Sequence, residues 1–119
     1  MRIIAFDKFR DGVTLETIQP YLDAEVSNVW RLWKAGIVRE NYARADETGV
    51  VIVFEVGDVE TARAYTEDFP LTKAGLLEWS FIALQVPLPI ETLFRHEIDV
   101  VEPLDRTKPK SLAGAKELR

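Results

Sequence analysis

A helix that stops at Gly36 and runs directly into Ile37-Val38-Arg39-Glu40-Asn41-Tyr42-Ala43-Arg44 is the feature that most limits what this chain can become. Glycine closes a helix by taking the left-handed conformation, and the alternating run after it reads as a strand. Asp46-Glu47-Thr48-Gly49 then reads as a hairpin loop, so residues 37–45 and 50–56 pair as antiparallel neighbours. Asp58 caps a second helix, residues 59–68, with Val59, Ala62, Tyr65 and Phe69 inward. Pro70 interrupts it, a short turn follows at residues 71–74, and residues 76–86 form the last strand up to Pro87 and Pro89.

The segment upstream completes the set. Residues 2–9 read as a strand with Ile3 and Ala5 on one face and Ile4 and Phe6 on the other, which suits a strand covered on both sides. Residues 14–35 read as a helix whose stripe is Ile18, Leu22, Val26, Val29 and Trp33. Pro20 belongs in a first helical turn, so the regular helix is expected to begin near Thr17 or Gln19. Residues 90–95 read as a further helical turn.

The order β-α-β-β-α-β predicts an α+β, ferredoxin-like fold: a four-stranded antiparallel sheet with both helices on one face. The other face needs a cover as well. Val50, Ile52 and Phe54 alternate with Val51 and Val53, so both registers are apolar, unlike a sheet with one wet face. In so short a chain the natural cover is a second copy, and two such sheets face to face make a dimeric α+β barrel with an interior cavity. A homodimer is expected.

Composition narrows the chemistry. At 119 residues the expectation is one folded domain over residues 1–102 and a basic tail over residues 103–119. The absence of cysteine excludes disulfides, thiolate catalysis and cysteine metal sites. No run approaches a membrane span, and Met1 to Asp7 is too soon charged for a signal peptide, so a cytoplasmic protein is expected. The net charge of −5 hides an asymmetry: the tail holds five basic and two acidic residues, the remainder ten and 18. An acidic body without a basic stripe is a poor nucleic-acid binder.

The polar strand carries the chemistry. In regular alternation Arg39 and Asn41 share one face and Glu40, Tyr42 and Arg44 the other. Glu40 as base with Tyr42 as hydrogen-bond donor can move a proton beside an enolate oxygen. Arg39 with Asn41 can hold a substrate carboxylate. The plainer reading is cross-strand charge pairing on an edge strand. Trp30, Trp33, Phe69, Trp79 and Phe81 can line a pocket for a flat ligand, although Trp33 belongs to the helix stripe and is expected in the core. His96, the only histidine, fits a surface pair with Glu97, a general base near neutral pH, or an axial haem ligand. No zinc motif, P-loop or dinucleotide fingerprint is present, and neither metal nor cofactor is expected.

Trp30-Arg31-Leu32-Trp33-Lys34-Ala35-Gly36-Ile37-Val38-Arg39-Glu40, the strand at residues 50–55, and Phe69-Pro70-Leu71-Thr72-Lys73-Ala74-Gly75-Leu76 resemble the muconolactone isomerase-like group of dimeric α+β barrel proteins. The resemblance spans residues 1–95. It implies a cofactor-independent enzyme that isomerises or cyclises a lactone or an aromatic polyketide-like compound by proton transfer in the barrel cavity. Glu40, Tyr42 and His96 are its catalytic candidates; Trp30, Arg39, Asn41, Phe69 and Trp79 are its binding candidates. Non-catalytic small-molecule binding and cofactor-free or haem-dependent monooxygenation are the alternatives. Residues after His96 lie outside the resemblance.

Overall fold

The computed structural model describes residues 1–87 and 89. The chain divides into two units, Met1–Gln85 and Val86–Arg119. The expected turn at residues 90–95, His96, and the boundary and tail beginning at Pro103 all lie outside the described residues.

Within the first unit the elements are β1 (Arg2–Phe9), α1 (Leu15–Ile18), a 3₁₀ turn (Gln19–Tyr21), α2 (Leu22–Lys34), β2 (Val38–Ala43), β3 (Val50–Glu55), α3 (Val59–Glu67), α4 (Pro70–Lys73) and β4 (Leu77–Ala83). The sheet is four-stranded in the order β2-β3-β1-β4, and each neighbouring pair is antiparallel. This is the ferredoxin-like arrangement.

The expected first helix is divided. Thr14 accepts from the Thr17 N–H and Thr17 returns the bond, a capping box that starts α1 early. Pro20 then sits at the start of the 3₁₀ turn, where its missing N–H costs nothing, and α2 begins only at Leu22. At the far end Gly36 has φ 76°, Ile37 N–H reaches the Leu32 carbonyl at 3.0 Å, and Gly36 N–H reaches Trp33 at 2.9 Å. That pair of bonds satisfies the last carbonyls of α2 and turns the chain straight into β2. Asp58 caps α3 by accepting from the Thr61 N–H.

Ile3, Ala5, Val38, Ile52 and Phe54 form one buried cluster with Leu32 of α2, Ala62 of α3 and Phe69. Register explains their shared face, since Ile3 stands opposite Phe54 and Ala5 opposite Ile52. Each fully buried aliphatic or aromatic side chain contributes roughly 1.5–3 kcal/mol. The opposite face carries Ile4 and Phe6 of β1, Val51 and Val53 of β3 and Ile82 of β4, matched pairwise by the same register.

Two expectations are corrected here. The inward residue at the end of α2 is Leu32, whereas Trp33 is 48% exposed and Val26 is also exposed. The helix presents the Leu22, Glu25, Val29 and Leu32 side of its surface to the sheet, one position round from the expected stripe. The alternation of β2 is also broken, because the pairing shifts between Val38 and Glu40. Arg39 is the extra residue of this bulge. Val38 therefore shares the helix-side face with Asn41, which stands opposite Ile52, while Glu40 and Tyr42 stand opposite Val53 and Val51 on the other face.

Candidate functional site

A cavity of about 350 Å³ opens on the helix side of the sheet, within the single chain. Its volume falls within the range of small-molecule sites. The sheet supplies Asp7, Asn41, Ile52 and Trp79, and α2 supplies Glu25, Val29 and the two tryptophans Trp30 and Trp33. All three tryptophans of the chain therefore line one space. Trp79 is anchored, its Nε1–H donating to Thr72 Oγ1 at 2.8 Å and its ring meeting Phe69 edge-on at 5.5 Å. Trp30 and Trp33 pack edge to face at 6.1 Å and remain 58% and 48% exposed, which places them at the mouth.

Two carboxylates interrupt this apolar lining. Asp7 follows Ile3 and Ala5 on the inward register of β1 and is only 5% exposed. Its Oδ1 accepts from the Val50 N–H at 2.8 Å. Glu25 occupies the inward stripe of α2, and its Oε2 accepts from the Leu71 N–H at 3.0 Å, satisfying a first-turn donor of α4. Each acid thus has one oxygen on a backbone donor and retains acceptor capacity toward the cavity.

Burial pushes the Asp7 carboxyl above its ordinary range; the Val50 N–H, its own backbone N–H and the Arg44 charge only partly oppose this. Burial likewise raises Glu25, the Leu71 N–H opposes it, and the charge of Asp7 raises it further. Desolvation therefore disfavours the charged form of both acids. Arg44 does not cancel this. Its guanidinium is taken up by Asp46, at 2.6 and 2.9 Å, and by Glu47 at 2.8 Å.

Gly49 packs against Asp7. A Cβ placed there would lie 2.9 Å from Asp7 Oδ1, closer than carbon and oxygen can approach. The glycine of the hairpin loop therefore lets the loop close over the acid.

Of the residues singled out from the sequence, Trp30, Asn41, Phe69 and Trp79 are brought together around this cavity. Glu40 and Tyr42 lie on the opposite sheet face, where Tyr42 is exposed, and Arg39 sits at the bulge; none of the three lines the cavity. His96 lies outside the described residues. Asp7 and Glu25 were not singled out from the sequence, and the signal that marks them is an acid at an apolar position: Asp7 continues the Ile3, Ala5 register, and Glu25 falls three residues after Leu22 and four before Val29. Among the described residues no three His, Cys, Asp or Glu side chains gather to hold a metal ion, and no helix is long and apolar enough to cross a membrane.

No family model matches the sequence, and no curated protein is significantly similar to it. Solved structures do match. The 5-chloro-2-hydroxyhydroquinone dehydrochlorinase TftG of Burkholderia phenoliruptrix AC1100, in complex with 2,5-dihydroxybenzoquinone, superposes with a TM-score of 0.60 at 21% identity, over 71% of this chain and 94% of that one. An uncharacterized NIPSNAP domain protein from Burkholderia xenovorans matches at a TM-score of 0.41 and 15% identity, over 71% of this chain and 95% of that one. Together with the observed sheet order, the likeness to the first of these structures shows the ferredoxin-like fold.

Proposed function

We propose that the chain is a cofactor-independent enzyme that moves a proton on a small ring compound held in the tryptophan-lined cavity, with Asp7 and Glu25 as its acid–base pair. The observation that carries this reading is the placement of two carboxylates, both raised by burial, in a mostly apolar, otherwise uncharged aromatic space. One carboxylate withdraws the proton from a carbon next to a ring carbonyl. The electron pair of that C–H bond becomes the C=C bond of the enol, and the carbonyl oxygen takes a proton from the other carboxyl. Where the ring also holds a C=C bond conjugated with that enol, a proton added at the far carbon of the dienol, while the enol O–H returns its proton to the carboxylate, re-forms the carbonyl and completes an isomerisation, with nothing consumed. Trp30, Phe69 and Trp79 clamp the ring, and Asn41 orients it by hydrogen bonding. The ligand in the dehydrochlorinase structure, a ring with carbonyl and hydroxyl groups, is of the kind such a cavity accepts.

The face bearing Ile4, Phe6, Val51 and Val53 pairs, in this reading, with the same face of a second copy. Glu40 and Tyr42 then belong to the space between the sheets and not to the acid–base pair.

The test is exchange of ring hydrogens with solvent deuterium, followed by NMR for a panel of cyclic ketones, lactones and hydroxylated quinones. Wild-type protein is expected to catalyse exchange on part of the panel. D7N and E25Q should each lose about a hundredfold or more of that rate. Exchange that persists undiminished in both variants, or no exchange on any compound, defeats the reading.

A further inference from the structure

We infer that the cavity selects uncharged, hydroxyl-bearing aromatic rings and rejects their carboxylated counterparts. The inference rests on the cavity being the ligand site and specifies what that site admits. Among the described residues its lining contains no Lys, Arg or His, and its only charged groups are Asp7 and Glu25. The Arg44 guanidinium is already bound by Asp46 and Glu47, and it is the stem carbon Cδ of this side chain that lies against Gly49. An anionic ligand would lose its water, meet two acids and find no counter-charge.

The hydrogen-bonding inventory points the same way. Trp79 Nε1–H, the one indole donor fixed inside, is committed to Thr72. The Val50 and Leu71 N–H groups are committed to Asp7 and Glu25. Asn41 and Thr48 add neutral polar groups to the lining but no charge. Toward the acceptor oxygens of the two acids a ligand does best with donors of its own. Hydroxyl groups on a ring supply them without charge, and the ring itself stacks on or meets edge-on the Trp30, Phe69 and Trp79 walls. An ammonium group would also bring donors. It is the poorer match, because stripping water from an ammonium in this mostly apolar aromatic space costs far more than stripping it from a hydroxyl.

Because every tryptophan lines the cavity, intrinsic fluorescence reports occupancy directly. Three matched probes separate the cases at neutral pH: hydroxymethylhydroquinone, the corresponding dihydroxybenzoate, and aminomethylhydroquinone. The neutral probe is expected to bind roughly tenfold or more tightly than the carboxylate. In D7N and in E25Q that gap should narrow, through a gain for the carboxylate and not a loss for the neutral probe alone. Equal or tighter binding of the carboxylate, or tightest binding of the ammonium compound, overturns the charge selection and leaves the cavity as a ligand site. A fluorescence signal unmoved by all three probes overturns the ligand site itself, and the selection with it.

Discussion

The Asp7 carboxylate accepts a 2.8 Å hydrogen bond from the backbone N–H of Val50, which ties an acid of the central strand to the first residue of its neighbour. A backbone amide holds one oxygen without supplying the full positive charge that would make ionisation easy. Glu25 stands in the same relation to Leu71. Both acids are thus oriented by main-chain donors in a desolvated space that disfavours their charged forms.

That arrangement costs stability, and the cost depends on pH. Burial raises Asp7 and Glu25 above their ordinary values of 3.8 and 4.5. Between those values and the raised ones the native state holds more protons than the unfolded chain, so stability falls as pH rises through that window. D7N keeps an acceptor for Val50 and removes the buried charge. Thermal unfolding at neutral pH should show it more stable by about 1 kcal/mol, with the gain fading as pH falls toward 3.8. D7A strands the Val50 N–H and should lose about 1–3 kcal/mol. A D7N protein less stable than wild type at neutral pH would mean that the bond to Val50 outweighs the desolvation of the charge.

Gly49 tests the position of the acid and not its chemistry. In G49A the new methyl group would meet Asp7 Oδ1 at 2.9 Å, so either the carboxylate or the loop must move. The expected result is a protein destabilised by about 1–3 kcal/mol whose ring-hydrogen exchange falls at least as far as its probe binding. Unchanged exchange in a folded G49A protein would show that the exact seat of Asp7 is unimportant.

The frame of this fold is legible in local signals. Gly36 ends a helix, the loop from Asp46 to Gly49 turns a hairpin, Asp58 caps α3 and Pro70 opens α4, each through backbone chemistry that acts within a few residues. The site was harder to read because it depends on what departs from pattern. Asp7 and Glu25 stand where apolar side chains are expected, and a polar residue in an apolar register is easily taken for a strand end or a solvated turn. The bulge at Arg39 carries no glycine to announce it, yet it decides that Asn41 faces the helices while Glu40 and Tyr42 face away. Trp33 fitted a helical stripe by spacing, but the helix turns Leu32 inward and leaves the tryptophan at the cavity mouth.

Trp30 should contribute to binding and little to folding. It lines the cavity yet is 58% exposed, touching Trp33 edge-on. In W30A the fold should change by less than about 0.5 kcal/mol, while affinity for a flat ligand falls by about five- to tenfold, the loss of roughly 1 kcal/mol of ring contact. Isothermal titration beside thermal unfolding separates the two effects. Equal losses in both would assign Trp30 to the core instead of the ligand.

The far face of the sheet yields the last prediction. Val51 lies there, opposite Phe6 on β1 and Tyr42 on β2, and it is only partly covered within the protomer. If this face meets its copy across a two-fold axis, V51K sets a lysine against the equivalent region of its partner without a counter-charge. Sedimentation equilibrium should then show dimer affinity reduced at least about a hundredfold, the effect of about 3 kcal/mol for one uncompensated buried charge. The monomer should keep its circular dichroism. V53K is the instructive contrast: Val53 is already buried within the protomer, at 8% exposure, so its lysine should lower the unfolding midpoint whatever the oligomeric state. A V51K protein that dimerises as tightly as wild type would place the pairing surface elsewhere, and a wild-type monomer at every concentration would remove the barrel.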